Sequence, residues 1–126
     1  MKVPASSPSV VIDWSRLESL RELQVEGDPD VVVQVIAMFQ EDSVTRLARA
    51  REAFACGDGK SLTLEAHSLR GTAGLIGAER LRETAEAVER SAESGWSPAL
   101  GLLVDAMAGA VAAVRAELSS GRQKST

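Results

Sequence analysis

The chain has 126 residues, 44% hydrophobic and 25% charged, with 14 Lys and Arg against 18 Asp and Glu for a formal charge of −4. That length holds one domain with its own core, and that balance excludes an intrinsically disordered chain. The acidic excess argues against a general nucleic-acid binder, no run of roughly 20 apolar residues suggests a membrane span, and aromatics at 3% without Tyr favour helices over a β-sandwich.

Residues 1–12 lack the continuous apolar stretch of a signal peptide and read as a flexible tail. Asp13 then caps a short helix carrying Trp14, Leu17 and Leu20 on one face. Gly27-Asp28-Pro29 marks a stop and restart, with Gly ending one helix, Asp capping the next and Pro in its first turn. From Asp30 to about Ala55, Val32, Ile36, Phe39, Leu47, Ala50 and Phe54 follow helical spacing, with Ser43 the weak point of the stripe. After the Gly57-Asp58-Gly59 break, a third helix begins near Lys60 or Ser61. Its Leu62, Ala66, Leu69, Ala73 and Ile76 are spaced 4, 3, 4, 3, a coiled-coil-like seam. Gly77 turns the chain into a fourth helix with Leu81, Ala85, Val88 and Ala92 inward. Ser97-Pro98 starts a fifth, on which Leu100, Leu103 or Val104, Met107, Val111, Val114 and Leu118 align. The expectation is an all-α, up-down-up-down four-helix bundle over 13–118, with a short N-terminal cap helix and a flexible tail over 119–126.

Several motifs fall away on their context. Gly57-Asp58-Gly59-Lys60-Ser61 ends like a phosphate-binding loop, but Phe54 occupies the position of the required first glycine and a helix precedes it. The glycines of Gly71-Thr72-Ala73-Gly74-Leu75-Ile76-Gly77 are spaced 3 and 3, not the 2 and 3 of a dinucleotide fingerprint. One His and one Cys cannot build a His-Cys zinc cage, and Asp28 and Asp30, without further acidic ligands, read as helix-start residues, so no metal site is expected. Cys56 has no disulfide partner, which fits a reducing, cytoplasmic setting, and its place at the end of an apolar helix suggests an inert, at least half-buried thiol.

His67, the sole histidine, lies about 100° around the helix from Ala66 and therefore off the core seam. Its own stripe holds Thr63 at i−4, Arg70 at i+3, Gly71 at i+4 and Gly74 at i+7. Helical side chains lean toward the N-terminus, so a residue at i+4 would shade the imidazole. Two glycines inside a helix cost about 1 kcal/mol each relative to Ala. Two readings stand: the glycines admit a closely packed helix, or they keep a platform clear around an exposed imidazole. The second suits the chemistry, because a neutral imidazole carries a free lone pair and Arg70 offers a permanent cation to a phosphoryl group.

Ala66-His67-Ser68-Leu69-Arg70-Gly71-Thr72-Ala73-Gly74-Leu75-Ile76-Gly77-Ala78 closely resembles the signature of histidine-containing phosphotransfer (HPt) domains, which read Ala-His-x-Leu-Lys-Gly, a small residue and a later Gly-Ala. Phe39 in the preceding helix, the Gly57-Asp58 turn, Leu81 and Val88-Glu89 stand at similar offsets, and the likeness runs over roughly residues 13–118. The resemblance implies a phosphorelay carrier. His67 would take a phosphoryl group through Nε2 from the aspartyl phosphate of one response-regulator receiver domain and pass it to the aspartate of another. Arg70, at the family's Lys position, would steady phosphoryl charge, and Gly71 would leave the imidazole accessible. The docking surface would include Thr63, Leu64 and Gly74. The domain would have no cofactor of its own, Mg²⁺ being supplied by the receiver, and no ATP-dependent autokinase activity. Its partners would be receivers and a hybrid sensor histidine kinase, with no nucleic acid or membrane, and it would act as a monomer. Lys60, Arg70, Arg80 and Arg82 against Glu65 and Glu79 add a local basic excess that suits an acidic receiver pocket. Two alternatives are a substrate domain served by a separate chemotaxis-type kinase module and a helical adaptor that carries no phosphate.

Overall fold

The computed structural model describes residues 11–121. A short helix α1 (Trp14–Glu18) runs directly into a 3₁₀ turn over Ser19–Leu23, and four long helices follow: α2 (Val31–Ala55), α3 (Gly59–Ile76), α4 (Glu79–Ser94) and α5 (Pro98–Gly121). No strand occurs among the described residues. Each long helix packs on the next, and α5 returns to α2 to close the bundle. Short linkers make successive helices antiparallel neighbours.

Local chemistry sets the helix starts. Asp13 accepts from the backbone N–H groups of Ser15 and Arg16, Asp30 from those of Val32 and Val33, and Asp58 from that of Ser61. Asp30 rather than Asp28 caps α2, and Pro29 stays outside the helix. Gln24 decides this: its Nε2 donates to the carbonyls of Val25, Asp28 and Pro29 while its Oε1 accepts from Val31, which holds residues 25–29 as a loop. All three cap carboxyls are held below the ordinary 3.8 of an aspartate, by the Ser15 hydroxyl at Asp13, by Arg21 at Asp30 and by the Ser61 backbone N–H at Asp58. A lowered folded-state value gives stability that is present above the unfolded value and lost as pH falls through the folded one. The melting temperature is therefore expected to fall as pH drops below 3.8. Replacing Asp13, Asp30 and Asp58 together by Asn, which caps without titrating, should flatten that acid limb. An equally steep acid loss in the triple variant would place the titration elsewhere.

The core follows the predicted stripes. Phe39 from α2, the α3 seam from Leu62 to Ile76, Leu81, Ala85 and Val88 from α4, and Leu100, Val104, Met107, Val111, Val114 and Leu118 from α5 are all buried. Ser43 is buried as well, so the stripe of α2 is continuous in position though broken in polarity, and its hydroxyl has no partner. At one end of the bundle Phe54 stacks on Trp96 with ring centroids 5.6 Å apart. At the other end α1 docks on the C-terminus of α3. Gly77 takes the left-handed conformation (φ 75°), its carbonyl accepts from Asp13 N–H at 2.8 Å, and a Cβ there would meet both Cβ and O of Asp13 at 2.9 Å. Arg16 Nε donates to the carbonyl of Gly74 at 3.0 Å, covering a last-turn acceptor of α3.

Four sequence-based expectations change. Cys56 is exposed, because it caps α2 at the rim instead of lying within its apolar face. Ile12 is buried and belongs to the folded unit, while α5 continues through Ser119 and Ser120. The proposed tails at 1–10 and 122–126 lie outside the described residues. Helix α5 is long and apolar enough, by length and composition alone, to cross a membrane, with a mean hydropathy of 1.6 over its best window. Asp105 and Arg115 interrupt the run, and the helix contributes its buried stripe to the bundle core. Two of the four basic residues in the local excess around α3 and α4 are already paired: Arg82 with Glu79 and Glu86, and Arg70 with Glu89.

Candidate functional site

The buried seam of α3 places His67 one residue past Ala66, so its side chain leaves the core and is 59% exposed. An ideal Cβ at Gly71 or at Gly74 would meet no neighbouring atom within 4 Å. Among the described residues nothing fills the space beside either glycine, and the close-approach reading fails. The space they leave is open beside the imidazole. Along the same side of α3, Leu64 (61% exposed) and Leu75 stand out into solvent on either side of the glycines, Thr63 is half-buried, and Met38 of α2 is exposed.

The residue that most shapes the site comes from α4. Glu89 follows the buried Val88, so its side chain lies at the edge of the α3–α4 contact and is only 13% exposed. Its Oε2 lies 2.9 Å from His67 Nδ1, and its Oε1 lies 3.1 Å from Arg70 Nη1. A carboxylate only accepts, so Nδ1 carries the proton and a neutral imidazole keeps its lone pair on Nε2. The Arg70 contact is of a different kind. It is an ion pair without hydrogen-bond alignment, which leaves Glu89 Oε1 buried and without a hydrogen-bond partner. Arg70 is thus held near the imidazole by its ion pair with the same carboxylate.

On the α2 side of His67 a shallow cavity of about 460 Å³ is lined by Met38, Asp42, Arg46, His67, Ser68, Gly71 and Thr72. Thr72 Oγ1 donates to the Ser68 carbonyl at 3.1 Å and is occupied within the helix. Among the described residues no group of three His, Cys, Asp or Glu side chains converges on a cation position.

His67, Arg70, Gly71 and Gly74 therefore lie together on one accessible face, with Thr63 and Leu64 beside them. The sequence reading noted Glu89 at a familiar offset but assigned it no role, and it missed Met38, Asp42 and Arg46. The only local signal for Glu89 is an acidic residue one step from the α4 seam. Its pairing with a histidine 22 positions earlier arises from helix packing.

The antiparallel helical bundle thus presents one accessible histidine, with the Glu89 carboxylate behind it and Arg70 beside it. The family profile described as "Hpt domain" matches residues 34–117, and the chain belongs to that family. It is 33% identical over 66 residues to histidine-containing phosphotransfer protein 2 of Arabidopsis thaliana, a match covering 50% of this chain and 42% of that relative. The chain thus aligns with less than half the length of that relative. Among solved structures it resembles histidine-containing phosphotransfer protein B (HptB) of Pseudomonas aeruginosa PAO1, with a TM-score of 0.80 and 29% identity over 94% of this chain and 98% of that one.

Proposed function

We propose that this protein is a phosphorelay carrier in which His67 accepts a phosphoryl group from the aspartyl phosphate of a receiver domain and passes it to the aspartate of another. The observation that carries the reading is the exposed imidazole whose Nδ1 faces Glu89, leaving the Nε2 lone pair toward solvent. In the transfer the P–Nε2 bond forms from that lone pair as the P–O bond to the receiver's aspartate breaks, and the aspartate leaves as a carboxylate with the bonding electrons. No proton moves. Because Nδ1 keeps its hydrogen, the phosphorylated ring is cationic, and the Glu89 carboxylate faces that charge. The same positive ring is a good leaving group in the return step, so one arrangement serves both directions.

Arg70 stands one helical turn from His67, shares Glu89 with it and is a tethered cation suited to steady the phosphoryl oxygens. Mg²⁺ would arrive with the receiver, whose catalytic groups supply the rest of the charge stabilisation. The exposed Leu64 and Leu75 around the open glycines suit a protein partner more than a small molecule. Receiver domains and a hybrid sensor histidine kinase are the proposed partners. Incubation with a phosphorylated receiver and Mg²⁺, read by intact mass under alkaline conditions, tests the reading. An acid-labile gain of one phosphate supports it, whereas binding without any gain, also after incubation with kinase and ATP, would mark a pure adaptor.

Two predictions belong to this geometry. Glu89→Ala removes the acceptor that orients the ring and faces its developing charge, and transfer is expected to slow by roughly a hundredfold, the lower end of the loss when such an electrostatic partner is removed. Glu89→Gln, which can still accept from Nδ1–H, should lose less. ¹⁵N shifts of the imidazole would show the Nδ1–H form giving way to a tautomer mixture in the Ala variant, and an unchanged tautomer would remove the orienting role. Gly71→Leu places a side chain over the imidazole, so transfer should fall. The helix should gain about 1 kcal/mol from losing a glycine, because nothing obstructs the added atoms near the backbone. Slower transfer in a protein that melts at a higher temperature separates access from folding; equal transfer rates would discard the access argument.

A further inference from the structure

The cavity on the α2 side of His67 holds a second arginine that the mechanism above leaves unused. Arg46 lines it together with Met38, Asp42, His67, Gly71 and Thr72. Its guanidinium bridges the seam between α2 and α3. Nε lies 2.9 Å from Asp42 Oδ2, one turn earlier on α2, and Nη1 lies 3.1 Å from Glu65 Oε1 on α3, while Nη2 belongs to neither pair. Glu65 stands two residues before His67 on the flank of α3 toward α2, whereas Arg70 is drawn by Glu89 to the flank toward α4. The imidazole therefore lies between two tethered cations, one on each side of its helix.

The two tethers of Arg46 are unequal. Glu65 is mostly buried, but Asp42 is 40% exposed and pairs at i,i+4 on a helix surface, a kind of ion pair that holds weakly. A phosphoryl group carries close to two negative charges and three acceptor oxygens, and competes for a guanidinium better than an exposed carboxylate does. We infer that Arg46 is a second phosphoryl-binding residue of the transfer site. It is parked on Asp42 and Glu65 in the resting protein, and it exchanges Asp42 for phosphoryl oxygens when the group arrives at Nε2. Glu65 keeps hold of Nη1, so the arm pivots in place. This rests on the proposal that His67 is the acceptor.

The test is single-turnover transfer from a phosphorylated receiver with Mg²⁺, at varied receiver concentration, for the wild type and for R46A, R46K and D42A. The expected result for R46A is a maximal rate reduced about tenfold, below the usual loss for a fully buried anion-hole donor because this cavity is open. Its half-saturating concentration should hardly move. R46K should recover part of the rate by restoring the charge, and D42A, which releases the arm, should be at least as fast as the wild type. R46A equal to wild type would overturn the inference. So would D42A as slow as R46A, because Arg46 would then be a helix tie, and so would a loss confined to half-saturation. If the wild type itself takes no phosphate, the carrier reading fails first, an outcome distinct from a labelled wild type with an indifferent R46A.

Discussion

His67→Gln is expected to abolish phosphoryl acceptance while leaving the bundle intact. The amide nitrogen of Gln has its lone pair delocalised into the carbonyl and cannot form the P–N bond, so the loss is of the nucleophile itself and not of its positioning. Stability should change little, because the imidazole is 59% exposed and contributes nothing to the core. Surface replacements of this kind usually stay within about 0.5 kcal/mol. The Glu89 carboxylate still finds a donor in the Gln amide and keeps its ion pair with Arg70, so no buried charge is stranded. Intact mass after incubation with a phosphorylated receiver should show one added phosphate in the wild type and none in the variant, with matching circular dichroism and melting. Labelling of the variant to the same stoichiometry would move the acceptor to another side chain and would remove the Glu89 tautomer argument with it.

Phe39→Ala is expected to be the most damaging of the single replacements considered for stability. Phe39 is 1% exposed and is among the largest fully buried side chains, on the face of α2 that meets the core. Truncating a buried Phe to Ala costs about 3–5 kcal/mol, from lost transfer free energy and from the cavity left behind. Small domains have roughly 5–15 kcal/mol in total, so the variant should keep a folded state with a much lower urea midpoint. At temperatures where it remains folded it should still accept phosphate on His67, since the imidazole and the Glu89 that orients it stand on α3 and α4. A loss under about 1 kcal/mol would mean that the α2 stripe collapses to refill the space, a looser core than this burial pattern implies.

Most of the architecture was legible because helices announce themselves locally. The 4, 3, 4, 3 spacing from Leu62 to Ile76 matches the buried seam of α3 residue for residue, and Asp13 caps where a short polar residue precedes an apolar run. The misjudged positions depended on loop contacts and helix ends that apolar spacing does not report. Asp28 lost the cap to Asp30 because Gln24 holds the intervening loop, and Cys56 is exposed because it sits at the rim where α2 ends. The local charge excess around His67 did not anticipate that Arg70 and Arg82 are already paired.

The sequence by itself determined that the chain is helical, that α3 carries a histidine off its core seam, and that glycines occupy the positions that would shade it. Each of these follows from residue spacing along a single helix, where 3.6 residues per turn sets who is neighbour to whom. Only the tertiary structure decided what stands around that histidine. Whether the glycines admitted another helix or open space, which carboxylate meets Nδ1, and where Arg46 is tethered all depend on how α2 and α4 lie against α3. Their relative placement comes from the packing of buried side chains across the bundle, a property of the assembled core that no one helix carries.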